Sequence, residues 1–232
     1  MIMKKILFPL FMAGILLSMV YSTSCRREDS VNVNQDRIYT HYLLEYDANE
    51  NQTIARATFR MGGQYDSKLK LSEGSSITFN NVEMDFSGVY AYYQNEMEGF
   101  TESGTFRFTD LDGNQYANSI SVLSAELPDS LPDIQKGAMY QIEWEGLSLG
   151  PNEVISLSID GPADSDTETF TVSAEGATSI SLSSTETERL NPGASIIKLE
   201  RSYETNDVDA PEVGGKMETV YTSSSEGLDV VE

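Results

Sequence analysis

The chain has 232 residues, 15 lysines and arginines against 37 aspartates and glutamates, a net charge of −22, one histidine and one cysteine. Such an acidic chain repels anionic polymers, and no run of basic residues longer than Arg26-Arg27 follows the first turn of sequence, so nucleic-acid binding is excluded as a function class. A single histidine and a single cysteine exclude an intrachain disulfide, a zinc site built on several imidazoles and any two-histidine catalytic scheme.

The first 24 residues read as a cleaved signal peptide. Lys4 and Lys5 precede an apolar run from Ile6 to Val20, fifteen residues long and too short for the roughly twenty that span a bilayer. Tyr21-Ser22-Thr23-Ser24 then leads to Cys25, the only cysteine. This arrangement resembles the lipoprotein signal of Bacteroidota-type bacteria, departing from the usual box where Ser22 stands in place of leucine. The resemblance covers residues 1–25 and implies a lipidated Cys25, a membrane partner reached through the lipid, and a place in the cell envelope, on the outer membrane, on its surface or its periplasmic side. Arg26-Arg27-Glu28-Asp29 matches in part the short acidic stretch that resembles a surface-export signal. Loss of residues 1–24 leaves 13 basic and 37 acidic side chains, a net charge of −24.

Residues 25–36 are polar and aperiodic, which predicts a flexible tether. From Ile38 onward apolar residues alternate with polar ones, the period of a half-buried strand. Ile38, Tyr42 and Leu44, then Ala55, Ala57, Phe59 and Met61, predict a hairpin around Asp47–Gln52. Leu69/Leu71, Ile77/Phe79, Val82/Met84/Phe86, Tyr90/Tyr92, Phe106/Phe108 and Ile120/Val122 continue the pattern between turns carrying glycine and asparagine. Pro128 and Pro132 lack amide donors and exclude a central strand, which sets a domain boundary there. Tyr140/Ile142/Trp144, Ile155/Leu157/Ile159, Phe170/Val172, Ile180/Leu182, Ile197/Leu199 and Val220 form a second set. The expected fold is all-β: two consecutive antiparallel β-sandwich domains, 37–126 and 134–232, the second immunoglobulin-like by analogy. A single larger β domain is the alternative. The general layout is similar to two-domain lipoproteins of the same bacterial group, a likeness that implies no activity.

Candidate sites follow from side-chain chemistry. Asp110 and Asp112, and Asp160, Asp164 and Asp166, place carboxylates in turns where calcium could gather oxygens. Tyr90, Tyr92 and Phe100 form an aromatic patch of the kind that binds sugars, although Tyr93 is sent by alternation to the opposite face. Glu143 and Glu145 flank Trp144 and read as the solvent face of a strand; His41 reads as a structural histidine within one. Asp29-Ser30-Val31 and Asp129-Ser130-Leu131 resemble a short O-glycosylation signal of the same bacteria, with Ser30 and Ser130 as acceptors. No cofactor is implied. The sequence therefore points to a non-enzymatic binding or structural lipoprotein with a protein or glycan partner. A glycan-binding accessory lipoprotein of an uptake system is the first alternative and a carboxylate-dependent hydrolase the second.

Overall fold

The structure, a computed structural model, describes residues 28–163 and 166–232. Cys25, the signal segment before it, and Asp164 lie outside the described residues.

The strands are β1 (Glu28–Asp29), β2 (Ile38–Asp47), β3 (Gln52–Met61), β4 (Lys68–Lys70), β5 (Ser76–Phe79), β6 (Val82–Glu83), β7 (Asp85–Ser87), β8 (Tyr92–Glu98), β9 (Ser103–Thr109) and β10 (Gln115–Ser121). They continue as β11 (Ala125–Glu126), β12 (Ile134–Gln135), β13 (Tyr140–Glu143), β14 (Glu145–Gly146), β15 (Glu153–Asp160), β16 (Thr167–Val172) and β17 (Ser179–Leu182). One helical turn, α1 (Ser184–Thr187), precedes β18 (Gly193–Thr205), β19 (Gly215–Thr222) and β20 (Glu226–Val231). The all-β expectation holds.

Alternation builds the first sandwich as the sequence suggests. Tyr42 and Leu44 of β2 and Ala55, Ala57 and Phe59 of β3 are fully buried, while His41, Leu43 and Arg56 between them are only half-buried. The β2–β3 hairpin closes with Asp47 paired to Gln52, and Asn51 takes φ +49 in the turn. Facing this sheet is a second one, ordered β10–β9–β5–β6. Aromatic rings cross the gap: Tyr42 stacks on Phe106 at 4.8 Å between centroids, and Phe59 meets Phe108 at 4.7 Å. Gly104 of β9 is required by this packing, because a Cβ there would stand 2.0 Å from Cζ of Phe79.

The second core gathers Trp144, Leu149, Ile155, Leu157, Ile180, Leu182, Ile197 and Leu199 between the β15–β18–β20 strands and the β13–β17 pair. Here β18 does double duty. On one edge its first residues, Gly193–Ile197, pair with β20 and its last, Glu200–Thr205, with β19; on the other edge Ile196–Tyr203 pair with β15. β19 then runs parallel to β2 over its whole length, Gly215 opposite Thr40 and Thr222 opposite Asp47, and delivers Met217 and Tyr221 into the first core.

Three expectations need correction. The division into 37–126 and 134–232 does not follow the chain's packing: Val122 ends the first core, Ala125, Leu127 and Ile134 already belong to the second, and β19 returns to complete the first sandwich. The prolines do keep central strands out of 128–132, but that segment hugs the second core instead of separating two domains. The supposed tether is not free over the part described. β1 pairs in parallel with β4, and the Gln35 side-chain amide donates to the carbonyls of Ser30 and Val33 at 2.9 and 2.8 Å. Polar residues are held there by side-chain to backbone bonds, which leave no periodicity in the sequence. Lastly, Val82, Met84 and Phe86 do not share one strand face. The chain crosses between the two sheets at Met84, leaving Val82 exposed and Met84 buried.

Candidate functional site

The crossing at Met84 opens the flank of the first sandwich. Between β6 and β8 lies a cleft of about 560 Å³, with Phe79, Val82 and Met97 supplying apolar surface and Asn80, Glu83, Asp85, Gln94 and Glu96 supplying polar groups. β7 pairs with β8 only over Tyr92–Gln94, so among the described residues no strand covers β8 from Asn95 to Glu98 on that side. Asn95 spans part of the gap: its amide nitrogen, in the orientation that satisfies its neighbours, donates to the carbonyls of Glu83 at 3.2 Å and Gln94 at 2.8 Å. Main-chain edge, amides and carboxylates around an apolar floor suit a partner rich in hydrogen-bond donors. Sequence reading missed this cleft, since Asn80 and Gln94 come together only when the two sheets are stacked.

The aromatic patch is divided by the fold. Tyr90 and Tyr92 stack on each other at 5.5 Å with planes 5° apart, and the Arg56 guanidinium lies 4.7 Å from the centre of the Tyr92 ring. Tyr93 faces the core, as alternation requires. Phe100 is not with them: it packs against Tyr46 and Tyr221 at 4.9 and 5.4 Å, at the junction with the second sandwich. The expected three-ring platform is thus corrected to a two-ring stack, because the seven residues of β8 separate the rings along the sheet.

The other candidates resolve individually. Asp110 is buried, and its carboxylate accepts the amides of Asp112 and Asn114, both at 2.9 Å, plus the Asn114 side-chain nitrogen at 2.9 Å. It closes a turn, Asp112 points to solvent, and the two do not form the expected calcium pair. Asp160 accepts the Thr167 hydroxyl at 2.7 Å, and the Asp166 amide donates to the carbonyl of Ala163. Among the described residues no three acidic, histidine or cysteine side chains converge to hold a metal. Glu143 and Glu145 are exposed while Ile142 and Trp144 are buried, the arrangement expected of a strand's solvent face.

His41 sits on the outer face of the first sheet, where its Nε2 lies 2.5 Å from Glu218; Lys216 bridges Glu218 and Glu204 at 3.1 and 2.6 Å. Burial pushes the His41 imidazole below its ordinary value, more than the Glu218 carboxylate raises it. Burial alone would raise Glu218, but hydrogen bonds from Lys216 and His41 hold it below the usual carboxylate range. This run of hydrogen bonds and ion pairs joins β2 to β19 across the parallel ladder. The two O-glycosylation candidates part company: Ser130 is exposed, whereas Ser30 is fully buried, its hydroxyl accepting the Ser72 amide at 2.9 Å while the Val31 amide donates to the Ser72 hydroxyl at 3.0 Å. Ser30 as an acceptor in the folded protein is therefore a correction.

A buried ion pair marks the junction of the two sandwiches. Arg201 bonds Glu153 at 2.5 Å, the carbonyls of Ser124 and Leu147 through one guanidinium nitrogen, and that of Ser148 through the other. Tyr221 donates its hydroxyl to Glu126, a second tie across the same junction.

No family model and no curated relative matches the chain. Among solved structures, a tetra-tandem repeat from the extending region of a large adhesion protein is similar at 11% identity, over 83% of this chain and 49% of that one, with a TM-score of 0.32. The FN1–FN3 domains of chicken CNTN1 are similar at 10% identity, over 83% and 66%, with a TM-score of 0.29. The Bacteroides ovatus mixed-linkage glucan utilization locus protein SGBP-B, in complex with a heptasaccharide, is similar at 12% identity, over 85% and 65%, with a TM-score of 0.20. This chain spans about half the length of the first of these. Likenesses at these scores carry no argument about ligand, partner or activity.

Proposed function

We propose that the chain is a membrane-anchored extracytoplasmic lipoprotein that binds a partner and does not catalyse a reaction, with the flank cleft of the first sandwich as its contact site. The observation that carries this reading is the uncovered edge of β8 beside the apolar floor of Phe79, Val82 and Met97. An extended segment added there would pair with main-chain groups and set alternate side chains into the cleft. The anchor comes from the Cys25 signal. The single histidine lies elsewhere, on the outer sheet face, engaged with Glu218.

A photo-crosslinking residue at Val82, which is exposed on the cleft wall, tests the reading in cells, with the same residue at exposed Met139 of the second sandwich as control. A discrete adduct from position 82 alone supports it. Equal labelling at both positions, or none at 82, counts against it. A glycan as partner is favoured by the amides of Asn80 and Gln94, which hydroxyl groups pair with readily. Oligosaccharide binding that Gln94→Ala weakens tenfold would establish that second reading; unchanged binding would dismiss it.

A further inference from the structure

One end of the first sandwich collects what a membrane surface requires. β1 is parallel to β4, Glu28 opposite Leu69 and Asp29 opposite Lys70, so the chain enters β1 from the side on which the 62–67 loop leads into β4. β2 begins at the same end, with Ile38 opposite Met61 and the Gly62 amide on the Arg37 carbonyl at 2.7 Å. β8 begins there as well: Tyr93 is opposite Ala57, which leaves Tyr92 and the 88–91 turn toward the end of β3, and Lys68 Nζ donates to the Tyr90 carbonyl at 2.7 Å. On this end stand Tyr65, 92% exposed, and Val89, 86% exposed, the two most exposed large apolar side chains among the described residues, with Tyr90 beside them at 62%.

The second sandwich lies at the other end. β18 continues past the Thr222 end of β19 toward Gly193, and that continuation pairs with β20 and with the Leu157–Asp160 half of β15. Charge is also distributed unevenly. Residues 26–70 carry seven basic and seven acidic side chains, whereas residues 71–232 carry six and thirty. Arg37, Arg60 and Lys68 stand at this end of the sheet, together with Asp36, Asp66 and the 206–214 loop, which bonds Asp36 and Thr40 and carries Asp207, Asp209 and Glu212.

We propose that this end of the first sandwich docks on the lipid surface, with Tyr65, Val89 and Tyr90 in the interfacial layer, and that the second sandwich projects outward. The inference rests on lipidation of Cys25. Only Arg26 and Arg27 separate Cys25 from Glu28, a reach of about 11 Å at most. An anchor on so short a lead holds the entry side of β1 against the bilayer, and the residues found on that side fit the place. Tyrosine is at home where an apolar ring meets water and headgroups, and arginine and lysine stems lie along apolar surface while their charges meet phosphates.

The test uses the mature lipoprotein reconstituted in vesicles of phosphatidylethanolamine and phosphatidylglycerol in equal parts. With the Cys25 sulfur acylated, Tyr65→Cys, Val89→Cys and Met139→Cys each carry one free thiol for a fluorophore, and brominated lipid serves as quencher. Emission from positions 65 and 89 should fall at least about twofold with brominated lipid while that from 139 stays constant. Probes at 65 and 89 as bright as the one at 139, on protein that floats with the vesicles, would overturn the docking while leaving the anchor intact. Protein that does not float and shows no acyl mass at Cys25 would remove the anchor, and the docking with it.

Discussion

Arg201 ties Ser124, where the chain passes from the first core to the second, to the 147–153 segment, and removing its side chain should be among the costliest single changes in the molecule. Its side chain is 2% exposed and that of Glu153 is 7% exposed, with 2.5 Å between them. In Arg201→Met the carbonyls of Ser124 and Ser148 lose the guanidinium, that of Leu147 keeps only the Trp144 indole at 3.1 Å, and the buried Glu153 carboxylate keeps only the Gly150 amide at 2.6 Å. Breaking a buried pair from one side costs about 3–5 kcal/mol, because the orphaned charge stays out of water. At a urea slope of about 2 kcal/mol per molar, the unfolding midpoint should drop by about 1.5–2.5 M. The double variant Arg201→Met, Glu153→Leu should recover much of that loss, since it leaves no unpaired charge. Arg189, 57% exposed and 3.9 Å from Glu168, is the control, and its replacement by methionine should cost less than about 1 kcal/mol. If urea unfolding shows Arg201→Met no more costly than Arg189→Met, the guanidinium is not what holds the junction and this reasoning fails.

Gly104→Ala should destabilise the first sandwich by about 1–3 kcal/mol or more, since the new methyl would press on the Phe79 ring; a melting temperature unchanged within a degree would refute that packing. The folded state favours neutral His41, so the stability this contributes is full above about pH 6.5 and declines as pH falls toward its lowered folded value. The melting-temperature gap between wild type and His41→Gln should therefore shrink from pH 7 to pH 5.5, and a gap that widens would show the protonated His41–Glu218 pair to dominate. In native protein, peptide mapping should find Ser30 unmodified, because its hydroxyl is buried against the Ser72 amide, whereas Ser130 remains open to modification; a glycan on Ser30 would mean that β1 is undocked when the modification is made.

Local alternation made much of the β content legible. The faces of β2 and β3, the exposure of Glu143 and Glu145 around Trp144, and the inward turn of Tyr93 all follow from a period of two. The pairings between distant segments were not legible. β19 joins β2 in parallel across about 175 residues, and nothing in the pattern of Gly215–Thr222 distinguishes that strand from one completing the second sandwich. The N-terminal segment was misread for a related reason: Ser30 and Gln35 are ordered by hydrogen bonds to Ser72, Leu111 and nearby carbonyls, and such bonds carry no hydrophobic signal. Nearness in sequence groups Tyr90 with Phe100, yet the two stand at opposite ends of β8. The cleft needed both sheets in place, because its walls come from β5, β6, β7 and β8 together.

Membrane attachment rests on Cys25, and the mass of the native amino terminus tests it directly. Protein extracted from the envelope with detergent should begin at Cys25, lack residues 1–24 and carry acyl-glyceryl mass on the cysteine sulfur. A chain that keeps residues 1–24, or one that begins near residue 25 with a free thiol, would contradict the membrane-anchored reading.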